Sequence, residues 1–150
     1  MSGGFDPVHI GHVRMFKEAK KLGNELVVVI NNDNWLHFKK GFAFMSEADR
    51  KEIIESFGSV DRVVLTSHEP NTNDITVCRE LELLRPHIFA NGGDRKENVP
   101  VPEYEICRRL GIEMVFNVGG GKVRSSSELV KKVLKKKGKL VIIEWKVDAP

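Results

Sequence analysis

The chain has 150 residues, about the size of one ordinary domain with a single core. Its 24 Lys and Arg residues against 21 Asp and Glu residues leave a net charge of +3, too balanced to indicate DNA or acidic lipid as a partner. No apolar run approaches the roughly 20 residues of a membrane-spanning helix, so we expect neither a nucleic-acid nor a membrane partner. Cys78 and Cys107 lie in apolar helical patterns without CxxC spacing, which favours reduced core thiols and a cytoplasmic protein.

Short β-branched runs alternate with helical patterns along the chain. The run at residues 25–30, ELVVVI, is typical of a central strand buried on both faces of a parallel sheet. The alternation predicts βαβ crossovers and a doubly wound α/β sheet in one domain spanning residues 1–150. The predicted strands are residues 25–30, 62–66, 87–90, 112–118 and 139–147, and the predicted helices are residues 10–22, 46–57 (with Ser46 as N-cap), 73–84, 103–110 and 126–137.

Two places depart from this alternation. A strand is expected ahead of the first glycine turn, yet only Met1 and Ser2 precede Gly3. We therefore expect a sheet that lacks its usual first strand, or one in which a C-terminal strand extension at residues 139–150 compensates for it. Residues 31–45 have no clear strand or helix pattern and are predicted to form a loop that serves as a lid.

The strongest chemical signal is SGGFDPVHIGH at residues 2–12. Glycines permit close approach of the backbone to an anion, and the N-terminus of the following helix favours phosphate. His9 and His12, three residues apart, can face one ligand and donate to phosphoryl oxygens whose charge grows in a transition state. Taken singly, the two histidines have a structural alternative, in which His9 caps the helix and His12 packs against the sheet.

Basic and hydroxyl residues elsewhere suit the same ligand. Lys39 and Lys40 precede Gly41 and can fold over a triphosphate. Arg124 stands directly before three serines at a predicted helix start, where guanidinium, hydroxyl and N–H groups converge on one anion. The three serines are Ser125, Ser126 and Ser127.

Three further residues are candidates for contacts with the substrates: Gly92, Asp94 and Arg50. Gly92 and Asp94 follow a predicted strand, where a turn aspartate can accept a hydrogen bond from a ribose or a base. Arg50, on the helix at residues 46–57, has two alternatives: it contacts a substrate phosphate, or it pairs with Glu47.

Together these motifs resemble the cytidylyltransferase-like nucleotidyltransferases. GGFDPVHIGH looks like the family signature, and NNDNWLHFKKG, EADRKEIIES, NGGD and VRSSSEL resemble its later motifs in the same order, from residue 2 to about residue 137. Within the superfamily the chain is most similar to glycerol-3-phosphate cytidylyltransferase and heptose-1-phosphate adenylyltransferase. Asn91 departs from the Lys usual in the adenylyltransferases, which leaves the phosphorylated substrate open.

The resemblance implies a Rossmann-like fold of the HxGH type and an enzyme that transfers CMP or AMP from CTP or ATP to a small phosphomonoester. Glycerol 3-phosphate or a sugar phosphate is the implied acceptor, pyrophosphate is released, Mg²⁺ is held through the nucleotide phosphates without a protein ligand, and a homodimer is expected. The implied catalytic residues are His9, His12, Lys39, Lys40 and Arg124; the nucleotide-binding residues are Gly3, Gly4, Phe5, Asp6, Gly11, Gly92, Asp94, Ser125, Ser126 and Ser127; the substrate-binding residues are Asp33 and Arg50.

Other functions fit the sequence less well. The letters HIGH also occur in class I aminoacyl-tRNA synthetases, but 150 residues leave no room for an anticodon-binding domain. Neither a P-loop nor a GxGxxG fingerprint is present. A metal hydrolase built on His9, His12 and His37 would need a third ligand on a rigid element. A non-catalytic nucleotide-binding module remains the alternative of a different class, and pyrophosphate release distinguishes it from the enzyme.

Overall fold

The computed structural model describes residues 1–93 and 101–134, in which parallel strands alternate with helices. The elements are β1 (Ser2–Gly3), α1 (Ile10–Lys20), β2 (Val27–Ile30), α2 (Asp33–Lys40), α3 (Glu47–Glu55), β3 (Arg62–Leu65), α4 (Cys78–Leu84), β4 (Ile88–Gly92), α5 (Tyr104–Leu110), β5 (Glu113–Val118) and α6 (Ser126–Leu134). Strands β1, β2 and β3 form one parallel sheet in that order, and β4 pairs with β5, also in parallel. The predicted α/β class with parallel strands is confirmed.

Strand β2 is buried on both faces, as its β-branched run predicts. Val28 and Ile30 pack into one core cluster with Phe16 of α1 and Ile54 of α3. Val29, pointing the opposite way, packs into a second cluster together with side chains of α4, β4 and α5. Helices therefore cover both faces of the strands, which is the doubly wound arrangement. No helix among the described residues is long and apolar enough to cross a membrane.

The strand expected to be missing is present in short form as β1. Ser2 pairs with Val29 and Gly3 with Ile30, and the N-terminal ammonium of Met1 donates to the Val27 carbonyl oxygen at 3.1 Å. Burial of that ammonium lowers its pKa from 8.0 to about 5. The expectation of a sheet without its first strand is therefore wrong, because the residues directly before the glycine turn suffice to pair with β2. The extension predicted at residues 139–150 lies outside the described residues.

Helix α2 occupies most of the segment predicted to be a loop at residues 31–45. The Asn32 side chain caps its start by accepting from the Trp35 N–H at 3.0 Å, and Leu36 is completely buried. The helix ends at Gly41. The loop prediction was wrong because a single buried leucine and one cap stabilise a short helix that shows little apolar periodicity.

Helix α4 begins at Cys78, five residues later than the prediction of 73–84. The Asp74 carboxylate accepts from the Thr76 N–H at 2.8 Å, and the His68 ring bonds the Thr76 carbonyl oxygen at 3.0 Å. These side chains give the backbone partners that a helix would otherwise supply, so the helix starts after them. The other predicted elements that fall on described residues agree with the structure to within about two residues.

Candidate active site

A cleft of about 350 Å³ opens where β1, β2, β4 and β5 end. This is the carboxyl edge at which open α/β sheets bind ligands. A larger cavity of about 580 Å³ lies near the amino ends of β2 and β4, beside Met1, and none of the predicted site residues lines it. Predicted site residues that line the cleft are Gly3, Gly4, Phe5, His9, Gly11, His12, Lys40, Gly92, Arg124, Ser125, Ser126 and Ser127.

Helix α1 begins with reciprocal hydrogen bonds made by two histidine rings. Nδ1 of His9 accepts from the Gly11 N–H at 3.1 Å, and Nδ1 of His12 accepts from the His9 N–H at 3.2 Å. The rings stack with their centroids 3.7 Å apart. Because each Nδ1 accepts a backbone proton, each neutral ring carries its own proton on Nε2. His9 thus caps the helix, as the structural alternative stated, and both histidines line the cleft as hydrogen-bond donors.

Phe5 supports the His12 ring from below. The two rings meet edge to face with their centroids 4.9 Å apart, and Phe5 packs in turn on Phe16. Phe5 is 4% exposed, so most of its ring serves the core. Its main contribution to the cleft is to fix the orientation of His12.

The electrostatic surroundings of His9 favour its neutral form. Burial is the largest cause of the lowering of its pKa below the ordinary value of 6.5, and the positive charges of Arg124 and Lys122 add to it. An anion placed between these cations and the ring would offset their positive charges and raise the pKa of His9 again. The cleft therefore holds a neutral imidazole beside two cations, an arrangement that favours a phosphate.

Of the two adjacent lysines, the structure brings Lys40 to the cleft. Lys40 lies in the last turn of α2, and burial, the largest effect, lowers its pKa. Lys39 in the same turn is exposed to solvent and does not line the cleft. Lys40 can therefore contact a ligand in the cleft and Lys39 cannot, a difference that two adjacent lysines in the sequence do not reveal.

The serines ahead of and within α6 lie across from the histidines. Ser126 starts α6, and its hydroxyl donates to the Pro7 carbonyl oxygen at 2.8 Å, which ties this helix to the glycine turn. Arg124 and Lys122 line the cleft beside the serines. Lys122 was missed from the sequence, although it stands only two residues before Arg124.

Main-chain atoms form the wall between β4 and β5. A Cβ added at Gly93 would lie 2.3 Å from the carbonyl oxygen of Gly120, closer than any side chain permits, so only glycine fits at position 93. Gly92 lies beside it and lines the cleft, whereas Asp94 lies outside the described residues. Gly93 was not singled out from the sequence, although it stands in the NGGD motif.

Asp6 binds the protein's own backbone, and its predicted contact with the nucleotide stays a prediction. Its carboxylate is 3% exposed and accepts from the N–H groups of Phe44 and Met45 at 2.6 and 2.7 Å. A carboxylate so engaged fastens the segment before α3 to the glycine turn. These two hydrogen bonds hold the glycine turn in place.

Arg50 and Asp33, both predicted to bind substrate, pair with each other beneath the cleft. Arg50 has no exposed surface, and its Nη2 donates to Asp33 Oδ1 at 2.8 Å. Its Nη1 donates to the carbonyl oxygens of Gly4 and Asn31, and its Nε donates to that of Met45. The alternative pairing with Glu47 is wrong, because Arg50 pairs with Asp33 instead; the predicted contact of Arg50 with a substrate phosphate stays a prediction.

Several polar or aromatic side chains of the cleft were missed from the sequence, among them Arg14 and the three that follow. Asn31 directly follows β2, Trp35 lies in α2, and Glu103 precedes α5. The Trp35 indole N–H donates to the Ile75 carbonyl oxygen at 3.0 Å, which fixes that wall. The signal available for Asn31 was its place at the carboxyl end of a central strand.

The fold and the cleft define a class of α/β proteins that bind an anionic nucleotide at the carboxyl edge of parallel strands. The cytidylyltransferase-like family model matches residues 1–143. The chain belongs to this family and is a nucleotidyltransferase.

Named relatives agree with this membership. An FAD synthase of Aciduliprofundum boonei is 38% identical over 113 residues, which cover 75% of this chain and 71% of that protein. The bifunctional protein HldE of Citrifermentans bemidjiense is 32% identical over 136 residues, covering 89% of this chain and 26% of that protein. The crystal structure of a lipopolysaccharide core biosynthesis protein from Thermoplasma volcanium matches with a TM-score of 0.61 and 29% identity, over 77% of this chain and 90% of that one.

Proposed function

We propose that the protein transfers CMP or AMP from CTP or ATP to the phosphate of a small phosphomonoester and releases pyrophosphate. The observation that carries the proposal is the stacked pair His9 and His12, whose Nε2–H donors share one cleft with Lys122 and Arg124. Donors fixed in advance around a developing phosphoryl charge are what this reaction requires. Family membership supports the same reaction class.

In the proposed reaction, a phosphate oxygen of the acceptor attacks the α-phosphorus of the nucleotide in line. A new P–O bond forms to the acceptor, and the bond to the β-phosphate oxygen breaks with its electron pair leaving on pyrophosphate. His9 and His12 donate to the α-phosphoryl oxygens as their charge grows. Arg124 and the N-terminus of α6 bind the departing pyrophosphate, and Lys40 neutralises charge from the other wall.

Magnesium fits this site as an ion carried in by the nucleotide. Among residues 1–93 and 101–134, no group of three or more His, Cys, Asp or Glu side chains is placed to hold a metal, and the Asp6 carboxylate already accepts two backbone N–H groups. Phosphate oxygens are ligands that Mg²⁺ commonly takes in such sites. The ion would neutralise phosphate charge, while this chain supplies the hydrogen-bond donors.

Two classes of phosphomonoester are candidates for the acceptor substrate. Glycerol 3-phosphate and sugar phosphates follow from the motifs. Flavin mononucleotide is a second candidate, because a relative is named FAD synthase, FAD consists of AMP joined to that phosphate, and Trp35 offers an aromatic wall. Both classes use the same chemistry at the α-phosphorus.

The test is a pyrophosphate-release screen of CTP and ATP against glycerol 3-phosphate, heptose 1-phosphate and flavin mononucleotide. Turnover with one pair supports the enzyme, and nucleotide binding without turnover on any acceptor supports the non-catalytic alternative. The adjacent lysines give a matched pair of variants. Lys40→Ala should lower turnover by about 10²-fold, as for loss of one preorganised donor, whereas Lys39→Ala should change it far less because that side chain faces solvent.

We also propose a cytoplasmic homodimer. Phe38, Phe42 and Phe44 are 51%, 42% and 55% exposed, and neighbouring exposed aromatic rings favour contact with another protein surface. Cys107 is a buried free thiol whose pKa burial raises to about 11, which suits a reducing compartment. Light scattering on wild type and on a Phe44→Ser variant tests the dimer.

A further inference from the structure

Asn31 carries a side-chain amide oxygen, Oδ1, that is buried and has no hydrogen-bond partner among the described residues. Both backbone polar groups of Asn31 are hydrogen-bonded: its N–H donates to the Gly3 carbonyl oxygen at 2.9 Å, and its carbonyl oxygen accepts from Arg50 at 2.6 Å. The residue is 5% exposed, and its Oδ1 has no hydrogen-bond partner in the part of the chain that the structure describes. Leaving such a group unpaired costs stability, so its presence requires an explanation.

The neighbouring Asn32 shows that this region can satisfy an amide. Asn32 is also buried, yet its Oδ1 accepts from the Trp35 N–H at 3.0 Å and its Nδ2 donates to the His68 carbonyl oxygen at 2.8 Å. The side chains of the two asparagines therefore differ in their hydrogen bonding. Asn32 caps α2, whereas Asn31 is held in place by its backbone hydrogen bonds and its side-chain Oδ1 has no partner among the described residues.

The unpaired amide oxygen lies at the less charged end of the cleft. Asn31 follows β2 and lines the cleft together with Trp35, Ile75 and Val77. Lys122 and Arg124, in contrast, follow β5 in the other pair of strands. Apart from Lys40 and Glu103, whose carboxylate accepts from the Val77 N–H at 3.3 Å, the residues that line the Asn31 side are neutral, so this side suits the uncharged body of a phosphate ester rather than a triphosphate.

We propose that the Asn31 carboxamide determines acceptor specificity by hydrogen bonding to a neutral group on the body of the phosphomonoester, a hydroxyl or an imide. This inference rests on the proposed nucleotidyl transfer. A hydroxyl and an imide both combine donor and acceptor capacity, as an amide does. The terminal torsion of asparagine is soft, so the amide can turn toward the bound ligand at little cost.

The first experiment compares Asn31→Leu with the matched control Asn32→Leu by thermal unfolding and by steady-state kinetics on the pair of substrates found in the screen. Asn31→Leu should raise the KM for the acceptor about tenfold, the scale of one lost hydrogen bond, leave the KM for the nucleotide unchanged, and not lower the unfolding midpoint. Asn32→Leu should lower the midpoint, because its amide is fully paired. Asn31→Ala should raise the acceptor KM in the same way if the leucine variant fails to fold.

The second experiment removes the ligand's group instead. For a sugar or polyol phosphate the probe is the deoxy analogue, and for flavin mononucleotide it is the N3-methyl analogue. Wild type should discriminate against the analogue about tenfold and Asn31→Leu should not. An unchanged acceptor KM in Asn31→Leu, a raised nucleotide KM, or undiminished discrimination would each overturn the inference while wild-type turnover leaves the proposed function standing. No turnover by wild type on any pair would overturn both.

Discussion

Replacing Arg50 with methionine should destabilise the fold as a whole. The guanidinium joins three segments of the chain beneath the cleft: it donates to Gly4 after β1 at 2.7 Å, to Asn31 after β2 at 2.6 Å, and to Met45 before α3 at 3.0 Å. It also pairs with Asp33 at 2.8 Å. Methionine fills a similar volume, so the variant isolates the loss of these polar contacts from the loss of packing.

The expected loss is about 3–5 kcal/mol in the free energy of unfolding. That is the range for breaking a buried ion pair by removing one partner, because the other charge is left uncompensated. The Asp33 side chain is 31% exposed and regains some water, which lowers the cost. The carbonyl oxygen of Asn31 loses a donor at a buried contact, which raises the cost again by about 1 kcal/mol or more, and those of Gly4 and Met45 lose donors at partly buried contacts.

Urea unfolding followed by circular dichroism measures this change, with nucleotide and acceptor KM values measured on the folded fraction. Arg50→Lys is the control, because it keeps the charge but lacks the fork that reaches several oxygens at once, and its loss should be intermediate. A loss below about 1 kcal/mol for Arg50→Met, together with a raised acceptor KM, would refute the structural role and restore contact with substrate.

Four further outcomes are expected. His12→Ala should cost at least ~10²-fold in turnover with the fold intact, and a rate within about threefold of wild type would remove His12 from the chemistry. Arg124→Ala should weaken triphosphate binding by roughly 1.5–3 kcal/mol and monophosphate binding much less, whereas equal weakening by calorimetry would place it away from pyrophosphate. The pKa of His9 is lowered in the folded protein, so the unfolded chain binds the proton more readily. The contribution of neutral His9 to stability is therefore retained above pH 6.5 and lost as the pH falls below it. The variant His9→Asn keeps a good cap and should lose less unfolding free energy than wild type between pH 7 and 5. Deletion of residues 139–150 should lower the unfolding midpoint if they add a strand, and an unchanged midpoint would make them dispensable.

The parts of the site that sequence predicts well are those in which chemistry and local structure share a few consecutive residues. Residues of the glycine turn, His9, His12 and the three serines at the start of α6 all line the cleft. Each lies beside a strand or helix end, and the position of that end fixes the position of the side chain.

The parts that sequence missed depend on contacts between distant residues. Arg50 is 46 residues from Gly4 and 19 from Asn31, so nothing local distinguishes a buried arginine on α3 from one that reaches a ligand. The same holds for Asp6, whose partners lie 38 and 39 residues away. The loop predicted at residues 31–45 was wrong for a related reason, because α2 depends on the burial of Leu36 against the rest of the protein.

The buried ammonium of Met1 has a practical consequence for how the protein is prepared. Burial disfavours its charged form, whereas a peptide bond to any preceding residue would supply an uncharged N–H able to donate to the same Val27 oxygen. The neighbouring cavity of about 580 Å³ is lined by apolar residues such as Leu22, Leu26 and Ile88 and also by charged residues such as Arg62 and Glu80, so a preceding segment would meet both kinds of side chain there. Adding residues ahead of Met1 should therefore raise the unfolding midpoint relative to a protein in which Met1 carries the free ammonium, because the peptide N–H that replaces it is uncharged.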